Sequence, residues 1–157
     1  MNKLPHRNHP FRLNSEVYAT WQTPIFLTMC FKPRGALEAN LARLFEELLE
    51  DQAKRWGLAV HAYCLMPNHM HVVCSVLDTQ AEFETFIRRF KREFSRRAHR
   101  SGFSGFTWQR SFWDRHAREE EDVRVRIEYT LDNPVRKGLC ERREQWPWLK
   151  HYGWPSP

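Results

Sequence analysis

Residues 58–76 read LAVHAYCLMPNHMHVVCSV. Two runs rich in β-branched and apolar residues flank Pro67-Asn68, a turn signal, so they predict strands at 58–65 and 69–76 joined as an antiparallel hairpin. Side chains alternate along a strand, which puts His69 and His71 on the same face. Two imidazoles so placed have the geometry of a metal pincer, but they are equally a polar rim on a half-buried sheet. A third ligand and a reacting group must come from elsewhere in the chain.

Working outward, Ile25 to Phe31 is a short apolar run bounded by Pro24 and by Pro33 to Gly35, which predicts a first, buried strand. From Ala36 to Trp56 the residues Leu37, Leu41, Leu44, Phe45, Leu48 and Leu49 recur at helical spacing, with an end near Gly57. After the hairpin, Thr79 and Glu82 form a capping box opening a helix over about 79–99. Phe83, Phe86, Ile87, Phe90 and Phe94 make its apolar stripe. Trp108 to Arg115 returns to a strand. The acids of Glu119 to Asp122 then suit the start of a third helix, whose macrodipole favours negative charge there, and Pro134 predicts its end at Asn133.

The order strand, helix, hairpin, helix, strand predicts an α+β fold: a ferredoxin-like antiparallel sheet with helices on one face, the last helix left aside. We expect an N-terminal arm at 1–16, a single domain over 17–145 and a tail at 146–157. The tail's tryptophans are expected to pack on the body.

At 157 residues the chain suffices for one core without staples, and 41% of it is hydrophobic. The four cysteines lack any Cys-x-x-Cys spacing and read as reduced. No apolar run approaches the ~20 residues of a membrane span, and the N-terminal stretch lacks the apolar core of a secretory signal, so a cytoplasmic protein is expected. A net charge of +6, a pI near 9.4 and 14% aromatic residues suit a polyanion whose bases stack, single-stranded nucleic acid in particular. Arg88, Lys91, Arg92 and Arg96, with Arg89, Arg97 and Arg100 nearby, form a face of the second helix dense enough for phosphate contact, although a charged helix face is also commonly just solvated.

On the third helix Tyr129 and Asn133 lie one turn apart on one face. By itself Tyr129, near a helix C-terminus, reads as a packing residue. Tyr63 to Val73, however, resembles the histidine–hydrophobe–histidine motif of single-tyrosine HUH transposases. Tyr129 to Gly138, with its Asn133-Pro134-Val135 centre, resembles the tyrosine motif of one branch, the REP-associated tyrosine transposases. Trp108 to Arg115 and Ile25 to Phe31 resemble that branch's other blocks, in the same order along the chain.

The resemblance implies the HUH endonuclease fold and assigns roles residue by residue. His69 and His71 become ligands of Mg²⁺ or Mn²⁺, and Tyr129 becomes the nucleophile. Asn133 takes the place of a third ligand, with Asp114 or His116 as substitutes. It further implies cleavage and rejoining of single-stranded DNA at hairpin-forming repeats through a 5′-phosphotyrosine, with a short guide sequence at the hairpin foot. Expected DNA contacts are Arg88, Lys91, Arg92, Arg96, Trp108, Arg110 and Arg115. We expect a monomer rather than a homodimer. Two other functions compete with this one. A hairpin-binding regulator without cleavage would use the same fold, and a zinc hydrolase built on the histidine pair lacks a general base at helical spacing.

Overall fold

A computed structural model of the chain describes residues 24–32, 38–77, 83–116 and 120–154; the side chains of Ser111, Arg115, His116, Glu120 and Glu121 are outside that description. The expected N-terminal arm and the Thr79–Glu82 capping box also fall outside it. The elements run β1 (Pro24–Lys32), α1 (Ala39–Arg55), β2 (Leu58–Leu65), β3 (His69–Val76), α2 (Phe83–Arg100), β4 (Thr107–His116), α3 (Glu120–Arg136), a short 3₁₀ turn (Arg143–Gln145) and β5 (Leu149–His151).

The hairpin strands occupy the expected residues, and their turn closes with Met66 N–H donating to the His69 carbonyl at 2.8 Å. The sheet order is β4-β1-β3-β2-β5, with every pair antiparallel. Strands β1 and β2 are therefore parallel to each other, as are β3 and β4, and α1 and α2 are the two crossovers. Connections of this kind share one hand, so both helices cover the same face, as the fold class requires.

Alternation along the strands sorts two cores. Ile25, Leu27, Met29, Met70, Val72, Cys74 and Val76 face α1 and α2, where Phe45, Phe83, Phe86, Phe90 and Phe94 pack edge to face and tilted. Phe26, Ala62 and Val73 face the other way, onto Val123, Ile127 and Leu131 of α3. His69 and His71 alternate with Met70 and Val72, so they too lie on the α3 side.

Helix α3 does not stop at Asn133; it continues through Pro134 to Arg136. Proline removes one helical hydrogen bond, but the end is sealed independently. Gly138 has φ 69°, its N–H donates to the Val135 carbonyl at 2.9 Å, and Leu139 N–H donates to the Pro134 carbonyl at 2.9 Å. This pair of bonds is a Schellman cap. The extra turn keeps Asn133 helical and carries Arg136 and Lys137 forward beside it.

Within the stretch expected to be a tail, Leu149–His151 forms β5 on the edge of β2. Trp146 Nε1 donates to the Leu65 carbonyl at 3.0 Å, and Trp148 and Trp154 pack against the two cores. His61, at the β2 bulge, accepts Tyr152 N–H on its carbonyl at 2.8 Å and stacks edge-on with Trp154. The tryptophans pack on the body as expected. Cys30, Cys64 and Cys74 are buried free thiols, and Cys140 is a partly buried one. Among the described residues no helix is long and apolar enough to cross a membrane.

Candidate active site

Helix α3 packs over β2 and β3, and beside it a cavity of about 840 Å³ opens between the helix and strands β1 and β3. His69 and His71 form its floor, and Tyr129 and Asn133 of α3, with Lys137 just past its end, line it from the other side. Residues four apart on a helix share a face, so the placement of Tyr129, Asn133 and Lys137 follows directly from their spacing.

His71 is fixed from below. Its register partner is Thr28, whose Oγ1 lies 2.8 Å from Nδ1 of the imidazole, and Phe26 stacks on the ring with centroids 5.3 Å apart. Tyr129 meets both rings edge-on, at 5.9 Å from His71 and 6.0 Å from Phe26. His69 is set perpendicular to His71 at 4.8 Å, with its Nδ1 2.6 Å from Asn68 Oδ1. Each Nδ1 thus has an oxygen partner, and an Nδ1–H donated there leaves Nε2 with its lone pair.

Both imidazoles are held neutral. Burial pushes His69 down to about 4, helped by the charge of Lys137. Burial likewise pushes His71 down to about 3, with His69 and Lys137 adding to it. Neutral imidazoles with a fixed second nitrogen are competent metal ligands. Among the described residues no three of His, Cys, Asp and Glu gather into a metal-ligating group. Asn133, 2% exposed on the cavity wall, offers a carboxamide. This donor set of two imidazoles and one amide fits a divalent ion that takes its remaining ligands from substrate and water.

Of the alternatives, Asp114 borders the cavity, but its register partner is Leu27, a residue of the opposite core. The His116 side chain is outside the described residues, as is that of Arg115.

The predicted DNA contacts are distributed differently. Arg88, Arg92 and Arg96 are exposed on α2, on the far side of the sheet from the cavity. Arg96 and Arg97 both pair with Glu93. Lys91 is half-buried, donates to the Gln109 carbonyl at 3.0 Å, and is pushed down to about 8 by burial. Trp108 packs its indole among Phe31, Phe90, Phe94 and Phe106. Arg110 is exposed on β4.

The residues Phe26, Thr28, Asn68, Arg126 and Lys137, which also line the cavity, were not singled out by sequence pattern. Period-two alternation groups Phe26 with Thr28, but it does not say which face of β1 meets the histidines. Arg126 and Lys137 were visible at helical spacing from Tyr129.

A family profile described as IS200-like transposase matches residues 19–123, about two thirds of the chain. The chain belongs to the IS200-like transposase family. The matched span contains both histidines and ends on α3 before Tyr129. This transposase-family chain is 28% identical over 88 residues to the REP-associated tyrosine transposase of Escherichia coli K12, covering 56% of this chain and 51% of that protein. It is 24% identical over 115 residues to a Haemophilus influenzae protein carrying a provisional form of the same name, covering 66% of this chain and 65% of the other. The chain therefore spans about half to two thirds of the length of these relatives.

Two solved structures share the fold. One, a REP-associated tyrosine transposase bound to a REP hairpin, superposes with a TM-score of 0.70 at 20% identity over 94% of this chain and 82% of that one. The other, a Deinococcus radiodurans protein provisionally named a transposase, gives 0.53 at 20% identity over 85% and 97%.

Proposed function

We propose that the chain is a divalent-ion-dependent endonuclease and strand transferase for single-stranded DNA, cutting and rejoining at hairpin-forming repeats through a 5′-phosphotyrosine on Tyr129. The observation carrying this reading is the meeting of Tyr129 with the His69–His71 pair in one cavity, with both Nδ1 atoms engaged. The relatives' names, and the hairpin held by the first solved neighbour, support hairpin DNA as the substrate.

His69 and His71 would hold the ion through Nε2, with Asn133 as the third protein ligand through its carboxamide oxygen. When bound, Mg²⁺ or Mn²⁺ supplies a Lewis acid for the non-bridging oxygens of the scissile phosphate. Tyr129, 36% exposed, meets the His71 ring edge-on and would offer its hydroxyl to an incoming strand. Its oxygen attacks phosphorus as the phenolic proton passes to solvent; the bond to the 3′-oxygen breaks, and that oxygen takes up a proton as a free 3′-OH. One phosphodiester is exchanged for another, so attack by a second 3′-OH on the tyrosyl ester rejoins DNA without ATP. Phe26 and Thr28 keep the receiving side rigid, which is what orientation for in-line attack demands.

The test is to incubate the protein with Mn²⁺ or Mg²⁺ and end-labelled single-stranded hairpins taken from repeated palindromes of its genome. The proposal expects a denaturant-resistant protein–DNA band that chelation abolishes. Retarded native complexes without any such band, across several authentic hairpins, would replace it with the regulator that binds and does not cut.

A further inference from the structure

Sequence pattern puts the nucleic-acid contacts on α2 and β4, yet Arg126 on α3 and Lys137 just past its end are the cations that line the cavity. Arg126, Tyr129, Asn133 and Lys137 all line it. Their spacing of three, four and four residues makes a single stripe along the helix. At ~1.5 Å per residue the stripe is roughly 16 Å long, with Tyr129 about one turn from Arg126 and about two turns from Lys137.

The two ends of the stripe each lie close to groups of the site. The Arg126 guanidinium lies 5.6 Å from the ring centre of Phe26, the same ring that contacts His71 and Tyr129. Lys137 is close enough to both histidines for its charge to act on them. Among the described residues neither Arg126 nor Lys137 has a carboxylate partner, whereas Arg143 pairs with Glu128 and Asp132 of the same helix. Cations lining a concave wall suit a polyanion, and a single strand carries charges spaced closely enough for several to lie along 16 Å.

We infer that the single strand runs along this stripe of α3, with Arg126 and Lys137 holding phosphates on either side of the one that Tyr129 attacks. The inference rests on the proposed reading of the cavity as the strand-transfer site. Single-strand recognition then belongs to the α3 face, and the α2 arginines are left for a part of the hairpin away from the cut.

The test measures binding without cleavage, using full-length Tyr129→Phe protein carrying Arg126→Gln or Lys137→Gln. Affinity is followed against salt for a hairpin with a single-stranded foot and for its stem alone. Each variant should bind the footed hairpin more weakly, with a salt slope shallower by about 0.7, and bind the stem as the parent does. Placing one uncharged methylphosphonate linkage next to the cut should cancel the Arg126→Gln penalty on one side and the Lys137→Gln penalty on the other. Arg126→Lys should recover most of the lost affinity, which separates charge from folding. Parent-like affinity and slope in both variants, or equal losses on stem and footed hairpin, would overturn the inference. Loss confined to the foot, together with no adduct from the protein that keeps Tyr129, would uphold the strand path while removing the transferase.

Discussion

Thr28 and His71 face one another across the β1–β3 register, and the threonine Oγ1 lies 2.8 Å from the imidazole Nδ1. This contact fixes the ring's orientation and reserves Nε2 for the cavity. Such outer partners commonly contribute 10–100-fold to metal affinity. Thr28→Val keeps the branched shape that suits a strand and removes the acceptor. We expect the Mn²⁺ concentration for half-maximal adduct to rise by roughly that factor, with the thermal midpoint nearly unchanged. A parental Mn²⁺ midpoint would reduce Thr28 to a packing residue.

Acid should destabilise the fold through the same histidines. In the unfolded chain an imidazole takes up a proton near pH ~6.5, whereas burial holds His69 at about 4 and His71 at about 3. Between those limits the unfolded state binds more protons, so stability falls as pH drops through that window. Melting followed from pH 7 to pH 4.5 should show the decline, and it should be shallower in His71→Gln. A pH-independent midpoint would mean that the pair is not buried neutral.

Tyr129→Phe retains the ring that touches Phe26 and His71 and deletes only the hydroxyl. At a position 36% exposed the cost in stability should stay within about 0.5 kcal/mol. Adduct formation should vanish while hairpin affinity remains within about twofold of the parent. Adduct at parental yield would take the nucleophile's role away from this residue.

The opposite face offers a control on the architecture. Phe45 is fully buried, edge-on to Tyr63, Phe90 and Phe94. Replacing it with Ala should cost about 3–5 kcal/mol in urea unfolding. A loss below about 1 kcal/mol would contradict the packing of α1 on α2.

These contrasts explain what the sequence discloses. The hairpin was legible because its pattern is local: two alternating runs, a Pro-Asn turn, and parity that aligns His69 with His71. The end of α3 was misread because Pro134 is a strong local signal, whereas the Schellman cap at Gly138 that outweighs it depends on backbone bonds formed only in the folded helix. Strand β5 is three residues held by β2, too short to carry a pattern of its own. The α2 arginines attracted a functional reading by density alone. Which face of the sheet a helix covers is decided by the crossovers, and these put α2 behind the sheet and α3 over the histidines.

The central claim is that Tyr129 carries the DNA. The most direct measurement is to form the adduct with Mn²⁺ on a hairpin substrate, trim the DNA with nuclease, digest with trypsin and locate the nucleotide by mass spectrometry. The account predicts a 5′-phosphonucleotide on Tyr129, in the peptide spanning residues 127–136. A nucleotide mapped to any other residue would contradict it.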